Sequence, residues 1–287
     1  MKETRIYKDL DDCRISLDVY YQGAGTPVLV FLHGGGFIFG SRSWLPAQQI
    51  EGYKKAGFSI VSVDYRLAPG TKLSDIVQDI KDAISWVRRQ AAQYYDFDPQ
   101  RMALVGNSAG AYMSLLAGTI DEMKPKAIVS FYGYGDIIGD WIMKPSKFFC
   151  QKYRVTAAKA QNSIEQNIVS EGSWNRFDYY VYCRQTGRWV EEVTGLDRVK
   201  DLEALQLFSP VLQLTSDYPP TMLLHGNSDT DIPYEQSVMM YEKLQQAGVT
   251  SELITIDGGD HAFDQNFYCP VVQDAFQRVN AFLRHFL

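Results

Sequence analysis

The sequence has few cysteines, few histidines and no long apolar run, and each shortage excludes a class of protein. The four cysteines, Cys13, Cys150, Cys183 and Cys269, are scattered and form no Cys-x-x-Cys pair, so we expect neither a disulfide framework nor a redox motif. No two of these cysteines or of the four histidines have the spacing of zinc ligands. We therefore expect reduced thiols in a cytoplasmic protein.

Hydropathy and charge exclude further classes. The longest apolar run, Val28–Leu32, has five residues, whereas a transmembrane helix needs about 20. The first residues are charged and no apolar segment follows them, which argues against a secretory signal peptide. We also expect no membrane partner. A formal net charge of -6, from 28 basic and 34 acidic residues, argues against a nucleic-acid partner.

Short apolar runs that alternate with amphipathic segments predict an α/β fold. The runs are typical of strands buried on both faces of a sheet, and they lie at 28–32, 59–63, 102–105, 127–131, 221–225 and 252–256. Helical spacing occurs at 45–56, 74–94, 109–118, 234–247 and 271–287. Ser74 is the expected N-cap of the second helix. We expect a mostly parallel central sheet flanked by helices, with edge strands in residues 4–22.

Residues 133–207 interrupt this alternation, because they are rich in aromatic and charged residues and have no clear period. We interpret them as a helical cap inserted into a single α/β domain of residues 1–287. One role for their aromatic side chains is to line an apolar pocket, but we expect most to pack the cap onto the sheet. They include Trp141, Phe148, Phe149, Tyr153, Trp174, Phe177, Tyr179, Tyr180, Tyr182 and Trp189.

The segment Gly106-Asn107-Ser108-Ala109-Gly110 lies between a predicted strand and a predicted helix. This is the context in which Gly-x-Ser-x-Gly carries a nucleophilic serine. The tight turn raises the serine hydroxyl above the sheet, and the glycines let the helix approach the strand. Because a helix N-terminus favours negative charge, Ser108 is the candidate nucleophile.

A second glycine-rich segment, His33-Gly34-Gly35-Gly36-Phe37, follows the first buried strand. Consecutive glycines let backbone N–H groups turn toward a ligand, where they can act as oxyanion donors together with the N–H of Ala109. The alternative, a phosphate-binding loop, lacks the Gly-x-Gly-x-x-Gly spacing and a Walker lysine. We expect His33 to make structural hydrogen bonds.

A serine nucleophile needs a base, and the base needs an acid that fixes its tautomer. His33 belongs to the glycine loop, His225 lies on the strand before the candidate acid, and His285 is two residues from the last residue. His261, on a glycine-rich loop after a strand, remains as the candidate base.

Two aspartates, Asp229 and Asp231, compete for the role of acid. We favour Asp229 because it directly follows the predicted strand end, and we expect Asp231 to stabilise the turn. Asp257 and Asp260 are too close in sequence to His261 to reach its ring easily, so we interpret them as solvated loop carboxylates.

The chain order Ser108, Asp229, His261 matches the order of the α/β-hydrolase triad. Matching segments lie at 33–37, 64–69, 106–110, 225–233 and 259–263. In these segments the chain resembles the α/β-hydrolase esterases and lipases related to hormone-sensitive lipase and to small bacterial acetyl- and feruloyl-esterases. The resemblance implies that Ser108 is the nucleophile and that Asp229 and His261 complete the triad.

The resemblance also implies an oxyanion hole and a set of structural residues. The oxyanion donors would be Gly35, Gly36 and Ala109, and the structural residues would be Asp64, Arg66 and Asp79. Such a site needs no cofactor and no metal.

We predict serine-dependent hydrolysis of a short-chain carboxylic ester through an acyl-enzyme, with a small-molecule ester as the partner. Bulky aromatic side chains in 133–207 should shorten the acyl channel, and this segment lacks the long apolar face of an interface-seeking lid. The alternatives are amide cleavage, as by an arylformamidase or a small peptidase, and ligand binding without catalysis. The oligomeric state stays open, with a homodimer as one option.

Overall fold

A computed structural model describes residues 2–287, apart from the side chains of residues 90–92. Its strands are β1 (Lys2–Asp9), β2 (Arg14–Tyr20), β3 (Pro27–Leu32), β4 (Ser59–Val63), β5 (Asp98–Asn107), β6 (Ala127–Phe131), β7 (Thr221–Gly226) and β8 (Ser251–Ile256). They form one sheet in the order β1-β2-β4-β3-β5-β6-β7-β8. Strand β2 is antiparallel to β1 and β4, and the other pairs are parallel. The predicted mostly parallel sheet is therefore confirmed.

Helices flank the sheet and fill the segment between β6 and β7. They are α1 (Ala47–Lys55), α2 (Leu73–Tyr94), α3 (Ala109–Ala117), α4 (Asp140–Met143), α5 (Ala157–Asn162), α6 (Phe177–Thr186), α7 (Trp189–Thr194), α8 (Leu202–Leu207), α9 (Glu235–Gln246) and α10 (Pro270–Phe286). Helices α4 to α8 lie within residues 133–207, the segment that we call the cap.

Two expectations near the start of the chain are wrong. Helix α2 begins at Leu73, so Ser74 lies inside it and does not cap it. The Lys72 carbonyl already accepts hydrogen bonds from the backbone of Asp75 and Ile76, which starts the helix before Ser74. Strand β2 is also not an edge strand, because it pairs with β1 on one side and β4 on the other.

Alternate residues of β3 face two different layers, which explains its continuous apolar sequence. Val28, Val30 and Leu32 pack in the core beneath α2, α3 and the cap. Leu29 and Phe31 pack against α1 and α10. The face of α10 predicted from the sequence is the one that is buried, namely Val272, Ala275, Phe276, Val279, Phe282 and Leu283.

The carboxyl ends of the parallel strands meet at one edge of the sheet. Leu32 at the end of β3 pairs with Gly106 of β5, and Gly226 at the end of β7 pairs with Ile256 of β8. Strand β4 lies on one side of β3 and strand β5 on the other. The strand order therefore reverses next to β3. Ligands bind at such switch points in parallel sheets. None of the helices in the described part of the chain has both the length and the apolar character needed to span a bilayer.

Candidate active site

Ser108 occupies a tight turn between β5 and α3. Its φ of 53° and ψ of -119° lie in a region that residues other than glycine rarely adopt. The packing at the turn has no room for larger neighbours. A Cβ at Gly106 would lie 2.3 Å from the Gly110 carbonyl oxygen, and one at Gly110 would lie 2.0 Å from the Leu32 carbonyl oxygen. Strain of this kind persists where the surroundings hold it, and it is common at functional sites.

The structure brings Ser108, His261 and Asp229 together from the loops after β5, β8 and β7. His261 Nε2 lies 3.2 Å from Ser108 Oγ, and His261 Nδ1 lies 2.8 Å from Asp229 Oδ2. The Asp229 side chain is fully buried, whereas that of His261 is 22% exposed. Both contacts are within hydrogen-bond reach, which is the geometry needed to remove the serine proton and to orient the base.

Asp229 is bound through both of its carboxylate oxygens. Oδ1 accepts hydrogen bonds of 2.9 Å from the backbone N–H groups of Asp231 and Ile232. Oδ2 lies within hydrogen-bond distance of His261 and also of His225, whose Nε2 is 3.1 Å away. Burial alone would raise the pKa of Asp229, but the hydrogen bonds from the two histidines outweigh it and hold the pKa below its usual range. The carboxylate is therefore ionised when it faces the base.

His261 is surrounded by negative charge. Burial lowers the pKa of its imidazole, but the hydrogen bond to Asp229 and the charges of Asp231, Asp229 and Asp264 outweigh burial and raise the pKa above its ordinary value of 6.5. The protonated ring is thus stabilised in place. This suits a base that accepts a proton from the serine and returns it later.

The carbonyl groups of the glycine loop after β3 are all bound within the protein. The donors are His33 Nδ1 to Gly34 at 2.7 Å, the backbones of Ile38 and Phe39 to Gly35 at 2.9 and 3.1 Å, and Trp189 Nε1 to Gly36 at 3.0 Å. His33 therefore makes the structural hydrogen bond expected from the sequence, with its ring stacked on Tyr65 at 4.2 Å. These bonds fix the direction of each peptide unit in the loop.

The N–H groups of this loop are available to a ligand. No acceptor among the described residues binds the backbone N–H of Gly35, Gly36 or Ala109. Gly35 has a φ of 105° and Gly36 a φ of 60°, conformations that glycine adopts without a Cβ penalty. Both glycines line the same cavity as Ser108. The arrangement offers N–H donors to an oxygen that develops negative charge beside the serine.

A cavity of about 130 Å³ opens at Ser108 and His261. Aromatic side chains form much of its wall, namely Phe39, Trp44, Tyr132, Trp174, Phe177 and Tyr180. Three of the cap aromatics, Trp174, Phe177 and Tyr180, are among them. Others, such as Trp189 and Tyr179, are buried within the core under the cap. Most cap aromatics therefore pack, as the composition predicted.

Asp231 contacts the cap instead of the base. Its two carboxylate oxygens accept hydrogen bonds from the Tyr180 hydroxyl at 2.7 and 2.9 Å. Arg184, which is almost fully buried, donates to the Asp231 backbone carbonyl at 2.9 Å. The guanidinium also lies 5.2 Å from the ring of Trp141. The structure thus places Asp229, and not Asp231, against His261.

Asp260 and Asp257 are exposed loop carboxylates, as predicted, and each also accepts hydrogen bonds from the loop after β7. Asp260 Oδ1 accepts hydrogen bonds of 3.0 Å from the backbone N–H and hydroxyl of Thr230. Asp257 accepts a hydrogen bond of 2.9 Å from Asn227. Because β7 and β8 are paired, residues about 30 positions apart lie side by side beyond their ends. These two aspartates connect the loop that carries Asp229 to the loop that carries His261.

The three residues assigned structural roles form ion pairs, and the two aspartates among them are fully buried. Arg66 binds both carboxylate oxygens of Asp79 at 2.8 Å, and the Asp79 side chain is fully buried. Asp64 is paired with Arg42. The bonds hold the loop after β4 and lie outside the Ser108 cavity.

Sequence reasoning missed a buried network behind His261. The Tyr132 ring packs edge-on against His261 at a centroid distance of 4.7 Å. The Tyr132 hydroxyl donates to Asp264 Oδ1 at 2.6 Å, and Gln49 donates to Asp264 Oδ2 at 2.7 Å. No motif or spacing marks these residues. His225 was also missed, although its position four residues before Asp229 was a usable signal.

In the part of the chain that the structure describes, no three His, Cys, Asp or Glu side chains are grouped so that they could hold a metal ion.

The chain is similar in sequence to known proteins. The chain is similar to the non-reducing polyketide synthase ausA of Emericella nidulans, with 27% identity over 97% of the chain and 13% of the relative. It is similar to the probable isoprenylcysteine alpha-carbonyl methylesterase ICMEL1 of Arabidopsis thaliana, with 28% identity over 88% of the chain and 49% of the relative. The chain thus spans less than half the length of these curated relatives.

A solved structure matches the fold over its whole length. An alpha/beta hydrolase superfamily protein from Enterococcus faecalis superimposes with a TM-score of 0.78 and 22% identity, covering 99% of each chain. Fold, site and relatives together define an esterase-type α/β-hydrolase. The model of the family BD-FAE matches residues 17–244, which include Ser108 and Asp229. The chain belongs to the BD-FAE family.

Proposed function

We propose that this protein is a serine carboxylesterase that hydrolyses short-chain carboxylic esters through an acyl-enzyme. The observation that carries the proposal is the continuous contact from Ser108 Oγ to His261 at 3.2 Å and from His261 to Asp229 at 2.8 Å. A complete nucleophile, base and acid beside unpaired N–H donors supports catalysis over ligand binding alone.

In the first half of the reaction, Ser108 Oγ attacks the ester carbonyl carbon while His261 Nε2 takes the serine proton. The carbonyl oxygen becomes an oxyanion, and the backbone N–H groups of Gly35, Gly36 and Ala109 stabilise it. The bond to the alcohol oxygen then breaks, and His261 donates its proton to that oxygen. The alcohol leaves and an acyl-serine remains.

In the second half, water replaces the alcohol. His261 takes a proton from water, and the resulting oxygen attacks the acyl carbon. The tetrahedral intermediate collapses, the bond to Ser108 Oγ breaks, and His261 returns the proton to the serine. The carboxylic acid is released. Throughout, Asp229 keeps hydrogen on Nδ1 of His261, so that Nε2 is the reacting nitrogen.

The preference for short acyl groups is supported by the size of the cavity. Its volume of about 130 Å³ is small beside the ~300–1,000 Å³ of common ligand pockets. The aromatic rings of Phe177 and Tyr180 close it on the side of the cap. An acetyl to butyryl group suits such a space, whereas a lipid chain would have to displace these side chains.

The choice of ester over amide is supported by the family relationship. One relative is named as a methylesterase, a name that describes cleavage of a carboxylic ester with a small alcohol. The triad geometry is compatible with both bond types, so the experiment has to compare them directly.

The test combines labelling and turnover. A fluorophosphonate probe should label the wild-type protein at Ser108, as peptide mass spectrometry can verify, and should not label Ser108→Ala. The value of kcat/KM for p-nitrophenyl esters should peak between acetyl and butyryl. Absence of labelling would contradict the serine mechanism, and faster cleavage of an aryl formamide than of matched esters would contradict the assignment as an esterase.

A further inference from the structure

The triad acid has a second histidine partner that the mechanism above does not use. His225 lies on β7, and its side chain is fully buried. Its Nε2 is 3.1 Å from Asp229 Oδ2 and 3.1 Å from the backbone carbonyl oxygen of Ile232. Its Nδ1 is 2.7 Å from the hydroxyl of Ser237 on α9. Both ring nitrogens therefore have fixed partners.

These contacts determine which ring nitrogen carries hydrogen. Nε2 faces two oxygens that can only accept, the ionised Asp229 carboxylate and the Ile232 carbonyl, so we assign a hydrogen to Nε2. Ser237 can donate its hydroxyl hydrogen to Nδ1. In the opposite tautomer, the Nε2 lone pair would face two acceptor oxygens inside a dry site, which is costly.

We propose that His225 is a positioning residue for the triad, whose Nε2–H holds Asp229 Oδ2 in line with His261. The proposal rests on the proposed esterase function. Oδ2 is the oxygen that His261 Nδ1 contacts at 2.8 Å, so His225 and His261 share one acceptor. The loop backbone binds the other oxygen, Oδ1, through Asp231 and Ile232. Together these contacts leave the carboxylate no freedom to rotate.

Sharing Oδ2 also limits how strongly Asp229 attracts the proton of His261. The N–H of His225 partly compensates the negative charge on Oδ2. Without that N–H, the full charge would act on His261 and hold its protonated form more firmly. The base would then become neutral only at higher pH. Removal of His225 should therefore both slow the reaction and move its acidic limb upward.

Few groups surround the two histidines, so a change in the rate or in the acidic limb can be attributed to the substitution at His225. Three groups contact His225, namely Asp229 from the loop after β7, Ser237 from α9 and the Tyr234 ring, whose centroid is 5.8 Å from that of His225. The groups that act on His261 are Asp229 and Asp231 from the loop after β7, Asp264 from its own loop, and the ring of Tyr132, which packs against it at 4.7 Å. A variant at position 225 changes none of these other groups.

Two substitutions of similar size separate the N–H donor from simple packing. In His225→Gln, the side-chain amide nitrogen reaches the place of Nε2 and can still donate to Asp229. In His225→Asn, the amide is shorter and reaches only the place of Nδ1, near Ser237. His285→Gln is the matched control, because His285 is exposed and lies on α10 away from the site. Ester turnover of each variant is measured against pH.

We expect His225→Asn to lower kcat by about tenfold or more, the order expected for losing a hydrogen bond to a charged group, with little change in KM. The acidic limb of its kcat/KM profile should move to higher pH. His225→Gln should recover most of kcat and return the limb toward that of the wild type. If the Gln and Asn variants have equal rates, and the acidic limbs of their kcat/KM profiles lie at the same pH as that of the wild type, His225 only packs and the proposal is wrong.

A spectroscopic measurement covers variants that fail to fold. The chain has four histidines, so ¹⁵N spectra of histidine-labelled wild-type protein can be assigned. We expect hydrogen on Nε2 of His225, and a bare Nε2 would overturn the proposal. Ser237→Ala should weaken this preference and cause a smaller loss of kcat. If the wild type lacks Ser108-dependent turnover, the esterase assignment fails, whereas the state of His225 in the spectrum is still read separately.

Discussion

The cavity at Ser108 has two walls that are held in place by different means. The catalytic wall consists of the strand-end loops that carry Ser108, Asp229 and His261. Its loops start at the ends of paired strands, and side chains such as Asp260 connect one loop to the next. The cap wall consists of Trp174, Phe177 and Tyr180. Its fixed contact with the catalytic wall is the bond from Tyr180 to the Asp231 carboxylate.

This difference separates rate from substrate choice. Atoms that react must be fixed to within a fraction of an ångström, and paired strands supply that order at the catalytic wall. Side chains of the cap wall touch one another mainly through aromatic contacts, such as Trp174 with Phe177 at 5.8 Å. Substitutions of the triad residues in the catalytic wall should therefore change kcat by orders of magnitude, whereas substitutions in the cap wall should change KM and the preferred acyl length.

The largest effect is expected at the nucleophile. Ser108→Ala removes the attacking oxygen and should lower kcat by roughly 10⁶, as loss of a triad serine does in other hydrolases. Circular dichroism should show an unchanged fold, because alanine occupies less space at the turn. Turnover within about tenfold of the wild type would mean that another residue attacks.

The next effect separates two neighbouring aspartates of the loop after β7, of which Asp229 contacts the base and Asp231 contacts the cap. Asp229→Asn should lower kcat by about 10⁴, because the amide upsets the tautomer of His261. Asp231→Asn keeps an acceptor for the Tyr180 hydroxyl and should cost less than about tenfold in kcat. Steady-state kinetics on both variants decides between them, and a larger loss for Asp231→Asn would reverse the assignment of the acid.

The pH profile sharpens the comparison further. The base must be neutral to accept a proton, so kcat/KM falls as pH drops through the pKa of His261. That pKa is raised by the hydrogen bond to Asp229 and by nearby carboxylates, so the midpoint of the acidic limb should lie above ~6.5, the value of a free imidazole.

Asp231→Asn provides the matched variant for this profile. It removes one of the charges that raise the pKa of His261 and should move the limb to lower pH. A wild-type midpoint below the free value, or a limb that does not respond to Asp231→Asn, would contradict this account.

The smallest effect is expected at the exposed side of the cap wall. Trp174 is 63% exposed and stacks on Trp44 at 4.9 Å. Trp174→Ala should change kcat for acetyl esters by less than about threefold, because the catalytic wall is untouched and exposed contacts are worth little. The ratio of kcat/KM for hexanoyl over acetyl esters should rise as the cavity opens. A selective loss of kcat with an unchanged acyl profile would place Trp174 in the chemistry.

The sheet and the residues at its strand ends could be predicted because their signals are local. A buried strand reads as an apolar run, and the glycines around Ser108 follow from a turn that tolerates no larger side chain. Elimination among the four histidines identified His261 as the candidate base. These inferences need only short stretches of sequence and the direction of parallel strands.

The rest of the site depends on side chains that meet only after folding. Gln49 and Asp264 are 215 residues apart and bond inside the core, and no periodicity connects them. His225 was passed over because it precedes the acid on the same strand, yet the turn after β7 brings its ring back to Asp229. The short helices of the cap give a weak period, so their order was not predictable either.

The bond from the Trp189 indole to the Gly36 carbonyl has a consequence for engineering. It ties the cap to the peptide unit directly after the oxyanion donor Gly36, and a Cβ at Gly36 would lie 2.5 Å from the Tyr180 ring. The cap is therefore not an exchangeable module. A chimera that takes its cap from a relative has to bring an equivalent indole donor and an equivalent ring, or the glycine loop loses its support on that side. Substrate range in this scaffold can be altered one cap side chain at a time more safely than by exchanging the whole segment.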